Sequence, residues 1–132
     1  YQDARNTSHE GTFGQFAGDR IPNRPYLTAN GHLRLRHRGL TSDRDELSFA
    51  WYSRYVHEFH RGWESVGRAP LKPTVDSQLL HTAALSYVTS GASPEELSFS
   101  LEVQNLTDER AFDFYGVQRP GRAFFAKTTA VF

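Results

Sequence analysis

The feature that most limits what this chain can fold into is a period of two near its end. From Leu97 to Gln104, Leu97, Phe99, Leu101 and Val103 alternate with Ser98, Ser100, Glu102 and Gln104. A strand sends successive side chains to opposite faces, so this run has one apolar and one polar face. A second such run closes the chain: Phe124, Ala126, Thr128, Ala130 and Phe132 share one face, with Lys127 and Thr129 on the other. An apolar side that ends on an aromatic suits a strand whose outer face meets lipid, because the ring can sit at the membrane–water boundary.

The same period recurs upstream. Over Tyr26 to His37, Leu27, Ala29, Gly31, Leu33 and Leu35 face one way. Tyr26, Thr28, Asn30, His32, Arg34 and Arg36 face the other. A packed sandwich core would not accept these polar groups unpaired, whereas a water-filled or plugged barrel interior would. Over Leu47 to Phe59, Leu47, Phe49, Trp51, Ser53 and Tyr55 oppose Ser48, Ala50, Tyr52, Arg54 and Glu58. Ser77 to Thr89 is a further strand with Ala83, Leu85 and Tyr87 outward; Leu79-Leu80 leaves its first residues without a clear parity. About five complete strands are therefore expected, in an all-β, antiparallel, up-and-down order.

The connections sharpen this. Asn6 to Pro25, His60 to about Asp76, and Asn105 to Gly121 are long; Arg38 to Glu46 and Ser90 to Glu96 are short. Long and short links in alternation across antiparallel strands are the pattern of an outer-membrane barrel. Strands of about 9–11 residues are also long enough to cross a bilayer at a tilt. The directions that follow put Tyr87 and Phe132 near the periplasmic boundary and Tyr55 and Phe124 near the outer one, as two aromatic girdles. Tyr1 to Arg5 reads as the last residues of a strand, so this chain is expected to be part of something longer. It lacks the basic and apolar regions of a signal peptide.

Composition removes several alternatives. Fifteen basic and fifteen acidic residues give zero net charge, which argues against nucleic-acid binding. There is no cysteine, hence no disulfide frame or thiolate metal site. Ten phenylalanines in a chain of mean hydropathy −0.60 fit a two-faced sheet better than a buried core. No apolar run approaches the roughly 18 residues of a membrane helix.

The closing region carries a resemblance. Asn105-Leu-Thr-Asp108, then Pro120-Gly-Arg-Ala-Phe124, then alternation to the terminal Phe132 resembles the last hairpin of TonB-dependent outer-membrane receptors. Arg20-Ile-Pro-Asn-Arg-Pro25 is similar to the segment preceding a late strand in that family. The resemblance implies the C-terminal part of a transmembrane β-barrel, residues 1–132 supplying barrel wall and extracellular loops. It implies energised uptake of a scarce ligand: an iron–siderophore, haem, cobalamin or a sugar. The implied partners are the rest of the barrel and its plug domain, the TonB energy complex acting through that plug, the barrel-assembly machinery and outer-membrane lipid. Location in a bacterial outer membrane with a periplasmic C-terminus follows. A passive porin-like barrel and a soluble all-β binding module are the competing classes.

Individual residues can then be assigned expectations. Arg34, Arg36, Arg54, Glu58, Glu102 and Lys127 face the lumen. The loop aromatics Phe13, Phe16, Trp63, Phe112, Phe114 and Tyr115 are the ligand-facing candidates, because rings exposed among glycines mark recognition surfaces. His57-Glu58-Phe59-His60 is not a zinc-protease motif: Arg61 stands where the second histidine is needed, and the local period is a strand's. No nucleophile–base pair, phosphate loop or cofactor motif is present, so neither catalysis nor a cofactor is expected. Asn6-Thr-Ser8 and Asn105-Leu-Thr107 match a glycosylation pattern; in a bacterial outer-membrane protein that match is accidental, and Asn105 and Asp108 are expected to hold a turn through side-chain to backbone bonds. The alternating last strand with Phe124 and a terminal Phe132 resembles the signal read by the barrel-assembly machinery of outer-membrane proteins, and the resemblance implies that role for these two residues. Deleting Phe132 should lower the amount of assembled, heat-modifiable protein in the outer membrane; an unchanged heat-modifiable band would remove that role.

Overall fold

A computed structural model of the chain describes residues 1–68, 73–90 and 96–131. Its main element is a five-stranded antiparallel sheet: β1 (Thr28–Arg38), β2 (Asp45–Val56), β5 (Gln78–Ser90), β6 (Glu96–Gln104) and β7 (Ala123–Val131). The spatial order is β1-β2-β5-β6-β7, so each long strand lies beside its predecessor in an up-and-down meander. The short strands β3 (Phe59–His60) and β4 (Thr74–Val75) form a separate two-stranded hairpin inside the connection between β2 and β5. The sheet is open: β1 and β7 are its edges, and it does not close on itself. Among the described residues no helix is long and apolar enough to cross a membrane, which has no bearing on strands.

The strand register joins the apolar rows. Val103, Leu101, Phe99 and Leu97 of β6 stand opposite Ala83, Leu85, Tyr87 and Thr89 of β5. On their other side they stand opposite Phe124, Ala126, Thr128 and Ala130 of β7. Directly opposed side chains share a face, so three apolar rows lie side by side. On the same side of the sheet, the Trp51 ring lies 5.1 Å from His81, and Ser53 Oγ and His81 Nδ1 are 2.8 Å apart. The apolar face therefore extends into β2. Among the described residues nothing covers it: Leu101 is 59% exposed and Phe124 73%. On the opposite face Tyr52 donates to Asn30 Oδ1 (3.1 Å), and Glu46 pairs with both Arg38 (3.1 Å) and Arg36 (3.8 Å).

The chain separates into two compact units. One holds Asn30–Ser53, Leu80–Glu109 and Pro120–Phe132; the other holds Tyr1–Ala29, Arg54–Leu79 and Arg110–Arg119. The first is the sheet. The second gathers most of the three long connecting segments.

Within the sheet unit the β1–β2 turn is built on one carboxylate. Asp45 is 2% exposed. It accepts from the amides of Leu40 (2.7 Å), Thr41 (2.7 Å) and Ser42 (3.2 Å), from Thr41 Oγ1 (2.6 Å) and from the Tyr87 hydroxyl (2.8 Å). Turn amides that no strand can reach thus find an acceptor.

The start of the closing connection is held the same way. Asn105 adopts φ 49° and is buried; its side-chain amide donates to Glu109 O and its Oδ1 accepts the Glu109 amide, both at 2.9 Å. Asp108, at φ 57°, accepts the Arg122 amide at 2.8 Å, so the two ends of the long connection are tied directly. Gly121 leaves room for this contact, since a Cβ there would sit 2.8 Å from Asp108 Oδ1. The expected turn roles of Asn105 and Asp108 are thereby observed.

Several boundaries differ from the expected ones. β2 ends at Val56 rather than Phe59, and Phe59 leaves it to pair with Val75. The ends of the His60–Asp76 connection therefore form a hairpin. The physical reason is burial: Val56, Phe59 and Val75 make a small apolar cluster, with Phe112 packed against it. Tyr1 to Arg5 forms no strand; it makes a single bridge, Arg5 with Arg20. The Ser90–Glu96 turn falls mostly outside the described residues, and so does Phe132.

The Asp108–Gly121 contact yields a test. Gly121→Ala should destabilise the fold by about 1–3 kcal/mol, the usual cost of a forced close contact. In an Asp108→Ala background the same change should cost measurably less, a coupling of about 0.5 kcal/mol or more by urea unfolding of the four variants. Additive costs would mean that this contact is not what requires glycine.

Candidate ligand-facing loop site

The loop unit starts from two facing segments. Asn6 donates its amide to Asp19 O (2.9 Å), Ile21 to Ala4 O (2.9 Å) and Gln2 to Tyr26 O (2.7 Å). Between them a single 3-10 turn, Gly14–Phe16, reverses the chain. Arg20 is the electrostatic centre: its guanidinium bonds Asp3 at 3.0 Å, lies 3.7 Å from Glu64 and sits 4.5 Å from the centre of the Tyr26 ring. The hydrogen bond from Arg20, helped by Arg5, holds the Asp3 carboxyl below its ordinary range; the same bond raises the Arg20 guanidinium.

Tyr26 is the hub of the aromatic packing. It meets Tyr1 edge-on at 6.1 Å and His57 at 4.7 Å. His57 is fixed in turn: its amide donates to Leu27 O (3.0 Å), and its Nδ1 is 2.8 Å from the Tyr55 hydroxyl. These contacts explain why the Arg20-Ile-Pro-Asn-Arg-Pro-Tyr26 stretch matters beyond leading into β1. Pro22 and Pro25 restrict the backbone. Asn23 turns it at φ 59°, and its amide is held by His60 O at 2.8 Å.

The middle of the closing connection is a small hairpin rather than a free loop. Phe112 and Gln118 form a bridge, and Arg119 donates to Ala111 O (2.8 Å). Asp113 Oδ1 accepts the amides of Tyr115 (2.9 Å) and Val117 (2.8 Å), which tightens the tip. Gly116, at φ 79°, lies so close to the Arg61 guanidinium that a Cβ would come within 2.6 Å of it. Arg61 also donates to Tyr115 O at 3.1 Å. Gln78 reaches the base of the hairpin, its Oε1 accepting the Phe112 amide at 2.6 Å.

Together these elements enclose an open cleft of about 760 Å³. Phe114 and Tyr115 come from the hairpin tip; Tyr1, Ile21, Pro22 and Tyr26 come from the first segment. A smaller cavity of about 110 Å³ adjoins Tyr26 and Arg24 and is lined by His57, Glu58 and His60. Among the described residues no group of three or more histidines and carboxylates is arranged to hold a metal.

The six expected ligand-facing aromatics divide into three places. Phe114 and Tyr115 line the cleft. Phe13, Phe16 and Trp63 form a cluster of their own, with Phe16 stacked on Trp63 at 4.8 Å and 8° and Phe13 at 5.7 Å. Phe112 is half-buried against the Val56–Phe59–Val75 cluster and does not line the cleft.

The residues expected to face a lumen also divide. Arg34 and Arg36 follow the parity of Asn30 on β1, and Glu102 and Lys127 share a face through the pairs Glu102↔Phe125 and Ser100↔Lys127. Glu102 accepts from Gln104 Nε2 at 2.7 Å. Arg54 lies in the loop unit, 5.9 Å over the Phe114 ring. Glu58 follows the end of β2 and lines the smaller cavity. Arg24, Tyr26 and the Asp3–Arg20 pair were not legible as site residues. The signal was an arginine- and proline-rich stretch bounded by an aromatic, which also serves simply to start a strand.

The Asp3–Arg20 link has a defined pH sense. Asp3 has a lower affinity for protons in the folded chain than in the unfolded one, so the stability it adds is complete above its unfolded value. That stability is lost as pH falls through the lowered folded value. Amide exchange at Asn6 and Ile21 should accelerate as pH drops below about 4, after correction for intrinsic rates. Asp3→Asn should show the faster exchange already at neutral pH and lose the pH dependence; an unchanged profile in that variant would assign the effect elsewhere.

Comparison of the chain with known protein families, with characterised proteins and with solved structures finds no match.

Proposed function

We propose that this chain is wall and outer ligand surface of a TonB-dependent receptor in a bacterial outer membrane, taking up a scarce ligand. The observation that carries the reading is the two-faced sheet. Leu97, Phe99, Leu101 and Val103 form one unbroken apolar field with Leu85, Phe124 and Ala126, and among the described residues no second layer covers it. The opposite side bears Arg36, Glu46, Glu102 and Lys127. Water disfavours an apolar field of this extent, whereas acyl chains accept it. Charged groups on the other side suit an enclosed aqueous interior.

Two further features agree. β1 and β7 leave unpaired backbone groups at the sheet edges, each costing several kcal/mol in hydrocarbon, so the wall is completed by further strands. The three long connections gather into one ordered unit with a cleft, as a surface that meets ligand before transport would. The motif pieces of the closing hairpin, Asn105 to Asp108 and Pro120 to Phe124, are also mechanically joined through Asp108 and Arg122. On this reading the plug, the energy complex and the assembly machinery are partners, and the chain performs no catalysis.

These 132 residues contain no cysteine, so thiols can be placed in them one at a time. Single cysteines are introduced at Ser100 and Lys127 on the polar face and at Leu101 and Ala126 on the apolar face of the full-length protein in outer-membrane vesicles. A water-soluble maleimide should label Ser100→Cys and Lys127→Cys at least about tenfold faster than the other two, since thiolate formation and access both require water. Equal labelling of Leu101→Cys and Ser100→Cys would reject the lipid-facing assignment.

A further inference from the structure

We infer that the cleft of the loop unit binds a small anionic ligand with a planar aromatic body, its anionic group held by Arg24 and its ring by Tyr26, Phe114 and Tyr115. The inference rests on the ligand-facing role proposed above for the long connections, and it names the chemical class that this site would take.

Size comes first. A cleft of about 760 Å³ falls within the usual range for small-molecule sites, about 300–1,000 Å³. Its lining is mostly rings: Tyr1, Pro22, Pro25 and Tyr26 come from the first segment and Phe114 and Tyr115 from the hairpin tip, with Ile21 the one large aliphatic residue among them. Aromatic walls favour a flat π-system through offset or edge-on packing.

Charge comes next. No Asp or Glu lines the cleft, and Arg24 is its one basic residue. The arginines nearby are committed: Arg5 to Asp3, and Arg20 to Asp3 and Glu64. Among the described residues Arg24 has no acidic partner, although it is exposed and lies between the larger cleft and the smaller cavity. A planar guanidinium beside aromatic walls matches a carboxylate, sulfonate or phosphate on a flat body, with bidentate geometry.

The walls are also set in advance, which limits the ordering cost of binding. Tyr26 is held by Arg20 and His57. Asn23 sits in a left-handed conformation with its amide on His60 O. The Tyr115 backbone is fixed by Arg61 and by Asp113, while its side chain remains 77% exposed.

The test uses the full-length protein in detergent, with binding followed by calorimetry. The probes are 2-naphthoate, its neutral analogue 2-naphthalenemethanol, and the non-planar anion decahydro-2-naphthoate. Wild-type protein should bind 2-naphthoate saturably and at least about tenfold more tightly than either analogue, the scale of one charge-assisted contact or one aromatic contact set. Arg24→Gln should weaken 2-naphthoate about tenfold and leave 2-naphthalenemethanol unchanged. Tyr115→Ala should weaken both aromatic probes. No saturable binding of 2-naphthoate, equal binding of the three probes, or an unaffected Arg24→Gln would each overturn the assignment. Binding in detergent needs no bilayer and no transport, so its failure is separable from failure of the wall assignment, which the cysteine labelling reads independently.

Discussion

The whole sheet depends on parity. Side chains alternate along every strand, so an apolar field several strands wide exists only if each neighbour is paired in the register that keeps its apolar residues on the same side. Here Leu85 faces Leu101, and Leu101 faces Ala126. A slip of one residue between β6 and β7 would bring Lys127 opposite an apolar β6 residue and break the field. The hydrophobic term and the backbone ladder therefore specify the same pairing. Neither requires a buried core of the ordinary kind, and among the described residues the buried apolar ones are correspondingly few: Val56, Phe59, Val75 and Ala111, all in the loop unit.

Where strands end, polar side chains take over the work of the ladder. Asp45 gathers three amides and two hydroxyls at the β1–β2 turn. Asn105 clamps Glu109 in both directions, Asp108 ties the two ends of the closing connection, and Asp113 caps its tip. Each of these side chains is short: Asp45, Asn105 and Asp113 reach nearby backbone amides at little entropic cost, Asp108 reaches across the connection to Arg122, and Asn and Asp tolerate the left-handed conformations seen at residues 105 and 108. The Asn105–Asp108 and Pro120–Phe124 motifs thus have a mechanical reading: one side supplies the carboxylate, the other the amide and the glycine that makes room for it.

The loop unit follows different rules. It has almost no periodicity, and its order comes from ion pairs, ring contacts and turns joining segments far apart in sequence. Arg20 meets Asp3 and Glu64; Arg61 meets Tyr115 and Gly116. Such pairings cannot be read from spacing, because any of several acids lies within reach of each arginine along the chain. The hairpin of β3 and β4 was hidden for the same reason: two-residue strands leave no alternation to detect. The expected aromatic site was legible as composition but not as geometry. Phe114 and Tyr115 share a cleft, Phe16 stacks on Trp63, and Phe112 packs inward.

By itself the sequence determined the five long strands, their up-and-down order, the parity of most residues on them and the turn roles of Asn105 and Asp108. These are local properties: a period of two and short-range side-chain bonding are written in neighbouring residues. Only the tertiary structure decided where β2 ends, that Asp45 anchors the first turn, and that Arg24 and Tyr26 stand beside Phe114 and Tyr115. Those outcomes depend on contacts between residues tens of positions apart, and which of the competing contacts forms is settled by closing all of them at once.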